Sequence, residues 1–208
     1  MKYRLIMFDS DGTLADTLPW ARRLFNDLAG RHGFRKVSEQ EALQLRDLHG
    51  PELLRTLGVP LWRLPVIVRD MRAAMAEHVH EFKPFPGVDE ALRALAGSGR
   101  VLGVISSNSE ENVRRILGPE LAGLMTRFSC GVSMFGKARR IKAMVRAAGV
   151  APREAIYVGD EVRDAEAARE AGVDFGAVGW GQHSPEALRA AGAVEVFASV
   201  EEMRRRLT

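Results

Sequence analysis

Short apolar runs alternate with amphipathic stretches along most of the chain. Leu5–Phe8 is an apolar run of strand length, and comparable runs recur at 101–105, 128–132, 156–158 and 175–178, with a weaker one at 194–197. Between them, apolar residues repeat at helical spacing over 88–96, 110–117, 138–148 and 165–171. Strands that alternate with helices predict an α/β fold whose parallel sheet is covered by helices on both faces.

The stretch from 18 to 83 breaks this rhythm. It contains no convincing strand. Trp20, Leu24 and Leu28 fall at helical spacing, as do Met71, Met75 and Val79. Ser38-Glu39-Gln40-Glu41 has the form of a capping box that opens a helix. Gly50-Pro51 and Gly58-Val59-Pro60 mark turns. The expectation is a small all-helical insertion at 18–83, set into a core made of 1–17 and 84–208. The exit, Lys83-Pro84-Phe85-Pro86-Gly87, is rich in Pro and Gly and suits a hinge.

Composition narrows the class. The chain has 208 residues, 46% hydrophobic and 27% charged, enough for a packed core. The lone cysteine, Cys130, leaves no internal disulfide, makes a structural zinc site improbable and fits a reducing, cytoplasmic setting. No start of the signal-peptide type and no long apolar run is present, so neither a leader nor a membrane span is expected. The net charge of +3 is spread over helix faces among acids, as in Glu201-Glu202-Met203-Arg204-Arg205-Arg206. That distribution reads as solvated surface and argues against a nucleic-acid partner. It still favours small anionic substrates.

Candidate chemistry lies at strand ends. Asp9-Ser10-Asp11-Gly12-Thr13-Leu14 directly follows the first strand. In an open α/β sheet ligands bind at that end, and paired carboxylates can act as nucleophile, metal ligand or acid and base. Ser106-Ser107-Asn108 follows the second run. Hydroxyls and free N–H groups there can bind phosphate, although Ser107 or Ser109 could instead cap the next helix. Lys137 opens a helix, where a surface lysine is commonplace. Gly159-Asp160-Glu161-Val162-Arg163-Asp164 places three acids in five positions after a strand. Hard oxygen ligands of this kind suit Mg²⁺, and acids also favour a helix start through its dipole. His78 and His80, two residues apart, do not share a helix face. Trp180-Gly181-Gln182-His183 is a loop that can border the site.

In order and spacing, these four places resemble the haloacid dehalogenase superfamily, and within it the phosphoglycolate-phosphatase-like members. The resemblance rests on Asp9 to Thr17, Ser106, Lys137, Gly159-Asp160 with Asp164, Phe85-Pro86-Gly87-Val88 and Ala168-Arg169-Glu170-Ala171-Gly172. It implies a Rossmann-like core with a C1-type helical cap after the first strand. It also implies a Mg²⁺-dependent phosphatase for a small phosphorylated metabolite, with phosphoglycolate suggested. By this resemblance Asp9 is the nucleophile and Asp11 the acid and base. Ser106, or alternatively Ser107, holds the phosphate together with Lys137. Asp9, Asp160, the main-chain carbonyl of Asp11 and, in support, Asp164 hold the metal.

Retention of Asp11 and Asp160 argues for phosphoryl transfer over dehalogenation. A β-phosphoglucomutase-like mutase is the alternative, and a non-catalytic binding protein on the same fold is a further one. In the insertion, Arg46 and His49 are candidates to face the substrate. Oligomeric state is left open.

Overall fold

The computed structural model describes residues 2–48, 50–131 and 136–208. His49, Val132 and Phe135 therefore lie outside the described residues. The chain runs β1 (Leu5–Phe8), α1 (Leu18–His32), α2 (Glu39–Leu45), α3 (Gly50–Thr56), α4 (Leu64–Glu77), α5 (Val88–Gly97), β2 (Val101–Ile105) and α6 (Glu110–Leu124). It continues through β3 (Arg127–Ser129), α7 (Lys137–Ala148), β4 (Ala155–Gly159), α8 (Val162–Ala171), β5 (Asp174–Val178), α9 (Pro185–Ala190), β6 (Glu195–Phe197) and α10 (Val200–Leu207).

Among the described residues six strands pair in parallel in the order β3-β2-β1-β4-β5-β6. β1 is central, with Leu5 opposite Val101 on one side and Ala155 on the other. Every residue of β1 is buried, as a strand covered on both faces requires. Successive side chains alternate. Ile6 and Phe8 join a cluster with Leu92 of α5, Val113 of α6 and Met203 of α10. Leu5 and Met7 join a second with Ile141 of α7, Ala168 of α8 and Leu188 of α9. The expected two-sided α/β sheet is therefore present. The chain leaves β1 toward β2 and later returns to pair β4 on the opposite side. That reversal opens a crevice at the carboxyl ends of β1 and β4.

α1 to α4 occupy the stretch between β1 and α5. They gather around Trp20, Leu24, Leu28, Leu57, Ile67 and Phe82, a third apolar cluster that takes in Ile116 of α6. Met75 and Val79 belong to this cluster, whereas Met71 is exposed. Ser38 caps α2 by accepting the Glu41 N–H at 3.2 Å. The Glu41 carboxylate pairs with Arg35, so only half of the expected capping box forms. The chain segments entering and leaving the insertion bond to each other. Asp16 N–H donates to the Lys83 carbonyl at 3.0 Å, and Phe85 N–H to that of Leu14 at 2.9 Å. In α6 the apolar period stops at Gly118-Pro119, where Gly118 at φ 71° and ψ 167° kinks the helix.

Candidate active site

The segment after β1 folds into a tight loop. The Ser10 carbonyl accepts the N–H groups of Leu14 and Ala15, each at 2.9 Å. Asp9 N–H still bonds to Val158 O at 2.9 Å, so its position is an extension of the β1–β4 pairing. Gly12 has φ 74°, and a Cβ there would lie 2.2 Å from Asp160 Oδ2. Only glycine permits this turn so close to the neighbouring strand end.

The four sequence regions converge. Asp9, Asp160 and Asp164 each offer a carboxylate oxygen within 4.8 Å of the others, and all three are buried. Lys137 Nζ donates to Asp9 Oδ2 at 2.6 Å and to Asp164 Oδ1 at 2.5 Å. Its side chain is only 6% exposed. Asp164 Oδ2 accepts the Glu161 N–H at 3.2 Å. Asp160 is held from two sides: Thr13 Oγ1 donates to Oδ1 and the Gln182 N–H to Oδ2, both at 2.8 Å. Gly181 makes the second approach possible, because a Cβ there would sit 2.1 Å from Asp160 Cβ.

The electrostatics follow from this crowding. Burial pushes Asp9 up from 3.8 to about 6, and Asp164 adds to the rise while Lys137 opposes it. Asp11 rises to about 6 through burial and the charge of Asp9, with Thr17 and Asn108 hydrogen bonds pulling the other way. Asp160 is raised by burial and then by Glu161, Asp164 and Asp9. Lys137 is pulled down by burial but held well above its ordinary value by Asp164 and Asp9. Three buried carboxylates, two of them bonded to one lysine, leave excess negative charge. A divalent cation with a preference for oxygen fits that donor set.

Ser106 is fully buried at the end of β2, and its Oγ accepts the Asn108 N–H at 3.1 Å. Ser107 is half-buried. Ser109, not Ser107, caps α6 by accepting the Asn112 N–H at 3.2 Å. The side chain of Asp11 stands apart from the three-carboxylate group and receives the Asn108 amide.

Arg46 is brought to the site's border but is engaged by the core's main chain. Nε donates to Gln182 O at 2.8 Å, and Nη2 to Gly181 O at 3.0 Å and His183 O at 2.8 Å. Beside it, Asp47 accepts the Ser184 N–H and hydroxyl, both at 2.7 Å. His49 lies outside the described residues. The 180–183 loop does border the site, since Trp180 Nε1 also donates to Thr13 O at 3.1 Å. Sequence reasoning missed the roles of Thr13, Asn108 and Asp47. Thr13 and Asn108 stand within motifs already singled out. Asp47 stands in the Arg46-Asp47-Leu48-His49-Gly50 turn that the sequence offers as facing the substrate, though no role was read for it. Cys130 is not a nucleophile candidate, because burial pushes its thiol up to about 12. A groove of about 670 Å³ lined by Trp20, Arg31, Asp70 and His78 shares no residue with the carboxylate group.

A parallel α/β sheet with buried carboxylates at its switch point defines a site able to hold a cation at the strand ends. The family described as haloacid dehalogenase-like hydrolase matches residues 6–178. The chain therefore belongs to the haloacid dehalogenase-like hydrolases. It is 33% identical to a phosphoglycolate phosphatase of Synechococcus elongatus, covering 89% of this chain and 88% of that one. It is 30% identical to a phosphoglycolate phosphatase of Xylella fastidiosa, with 88% and 83% covered. A solved haloacid dehalogenase-like hydrolase from Streptococcus pneumoniae superposes with a TM-score of 0.81 over 99% of both chains, at 22% identity, and so shares the fold. The protein is an enzyme, a phosphatase of this family. Among the described residues no helix is long and apolar enough to cross a membrane.

Proposed function

We propose that the chain hydrolyses a small phosphomonoester through a phosphoenzyme on Asp9, and that 2-phosphoglycolate is the substrate. The reading is carried by one arrangement: Lys137 Nζ lies 2.6 Å from Asp9 Oδ2 inside a group of three buried carboxylates. Names of the two curated relatives support the substrate. In this reading the residues that hold Mg²⁺ are Asp9, Asp160 and the main-chain carbonyl of Asp11, with Asp164 supporting. When bound, Mg²⁺ screens the phosphate dianion and favours the ionised form of Asp9.

The remaining work falls to the chain's own residues. A carboxylate oxygen of Asp9 attacks phosphorus, and the bond from phosphorus to the substrate oxygen breaks. Lys137 offsets negative charge on Asp9 and on the transferring group. Asp11, raised to about 6, gives its proton to the leaving alkoxide. The resulting carboxylate then takes a proton from the water that attacks the acyl phosphate. Asp9 is released, and Asp11 is again protonated. Ser106 is proposed to hold a phosphate oxygen, its burial at the β2 end favouring it over Ser107. The insertion, residues 18–83, is proposed as the cap that excludes water. Substrate selection is assigned to the seam at Arg46 and Asp47.

A panel of phosphorylated metabolites, assayed with Mg²⁺ and with chelator, tests this. The expected result is Mg²⁺-dependent release of phosphate, greatest from 2-phosphoglycolate, and its loss in Asp9→Asn. Undiminished turnover by Asp9→Asn overturns the nucleophile. Isomerised hexose phosphate without phosphate release would indicate a mutase.

A further inference from the structure

We infer that Asn108, held in place by Asn112, is the positioning residue for the acid and base carboxylate of Asp11. The inference rests on the proposed phosphatase chemistry and adds a residue to it. Asn108 Nδ2 lies 3.4 Å from Asp11 Oδ1 and 3.3 Å from Oδ2, so one amide faces both carboxylate oxygens. Both distances lie just beyond the roughly 2.7–3.2 Å usual for an N–H···O bond, so the amide faces the carboxylate through weak contacts.

The direction of that amide is decided by its other side. Asn108 Oδ1 accepts the Ser109 main-chain N–H at 2.9 Å. A main-chain N–H can only donate, so the oxygen must face Ser109 and the NH₂ must face Asp11. Oδ1 also accepts Asn112 Nδ2 at 3.0 Å. Asn112 lies in the first turn of α6, whose start is fixed by the Ser109 cap.

The Asn108 main chain is pinned as well. Its N–H donates to Ser106 Oγ at 3.1 Å, and its carbonyl accepts the Gly131 N–H at 2.6 Å. Both asparagines are buried, 6% and 7% exposed. Asn108, bonded through its main chain and through Oδ1, is thereby restrained, and a restrained donor restricts the rotation of the carboxylate it faces. The leaving oxygen requires the Asp11 proton from one direction only. The chain therefore spends two buried asparagines on the group that moves protons, while Lys137 serves the group that attacks.

The test compares leaving groups. An alkoxide, as from 2-phosphoglycolate, needs a proton to depart, whereas p-nitrophenolate leaves without one. In Asn108→Ala, kcat/KM for 2-phosphoglycolate should fall about 10²-fold, the lower end of what general acid catalysis supplies. For p-nitrophenyl phosphate kcat/KM should change less than about threefold. A burst of one p-nitrophenolate per enzyme should appear, because the second step still needs Asp11 as base.

Asn112→Ala should show the same selectivity at about fivefold, and it decides the question should Asn108→Ala fail to fold. Equal losses on both substrates overturn the inference, as does a rise in KM alone, which would make Asn108 a phosphate ligand. Failure of the unaltered enzyme on both esters with Mg²⁺ would instead overturn the phosphatase reading.

Discussion

In the core, Asp9, Lys137, Asp160 and Asp164 come from separate strand ends and helix starts, and all four are buried and bonded to one another or to main chain. In the insertion, Arg46 and Asp47 follow α2, one half-buried and one exposed, and reach across to the carbonyls and N–H of 181–184. Asp9 and Asp160 are placed at strand ends by sheet pairing, which cannot shift by a fraction of a residue, and Lys137 and Asp164 by the first turns of α7 and α8. The insertion is tied on by side chains and by paired entry and exit segments, with Ile116 as its apolar foothold on α6. In the proposed reading the chemistry sits on the sheet-anchored part, and the contacts proposed for closing and selecting sit where a few hydrogen bonds join the two parts.

The rigid half of this contrast is tested most severely at Gly181. A Cβ there would lie 2.1 Å from Asp160 Cβ, so Gly181→Ala must displace that aspartate. Phosphatase activity should drop at least about 10²-fold, as expected when catalytic geometry shifts by an ångström, and the Mg²⁺ requirement should rise. Full activity at ordinary Mg²⁺ would mean that the site is not held as tightly as its packing implies.

The separateness of the insertion is tested at Leu28, which is fully buried in its cluster. Leu28→Ala should cost about 2–5 kcal/mol, and hydrogen exchange should quicken chiefly over 18–83. An equal loss of protection in β1 and β4 would show that the two regions unfold as one.

Burial of the site carboxylates has a pH signature. In metal-free protein Asp11 keeps its proton up to about 6, but in the unfolded chain it loses it near 3.8. Between those values the folded state binds more protons, so stability contributed by the protonated group is lost as pH rises through the window. The loss is of order 3 kcal/mol for a shift of this size. Urea unfolding in chelator at pH 4.5 and 7.5 should show about 2 kcal/mol of it, the part that falls above pH 4.5, and Asp11→Asn should show correspondingly less. An identical pH dependence in the two proteins would refute the assignment.

The smallest effect is expected at the seam. Arg46→Ala removes three hydrogen bonds to 181–183. A loss of about tenfold in kcat/KM is expected, equivalent to about 1.4 kcal/mol, with the unfolding midpoint of the core little changed. Collapse of the whole fold in this variant would make Arg46 a structural strut of the core.

Much of this was legible beforehand. Apolar runs located the inner strands, because a strand buried on both faces must be apolar throughout, as β1 and β4 are. The half-exposed edge strands were met only roughly, β3 ending at Ser129 where the run continues past it. Acids placed directly after such strands stood out because a buried sheet end has few other reasons to carry charge. The choice of helix cap was harder to read. Ser107 and Ser109 both fit the local pattern, and only the backbone path settled it in favour of Ser109.

The chain order alone determined the alternation of strands and helices, which follows from periodicity and residue type, both local. Phosphoryl chemistry was implied by the family resemblance of the motifs that follow the strands. Tertiary structure decided the sheet order, the meeting of Lys137 with both Asp9 and Asp164, and the use of Gly12 and Gly181 as clearance for Asp160. It also turned Arg46 toward main-chain carbonyls and Asn108 toward Asp11. Each joins groups far apart in the chain, 97 residues for Asn108 with Asp11 and 136 for Arg46 with Gln182. The direction of a side chain across such a gap depends on which strands lie side by side, and no local pattern carries that information.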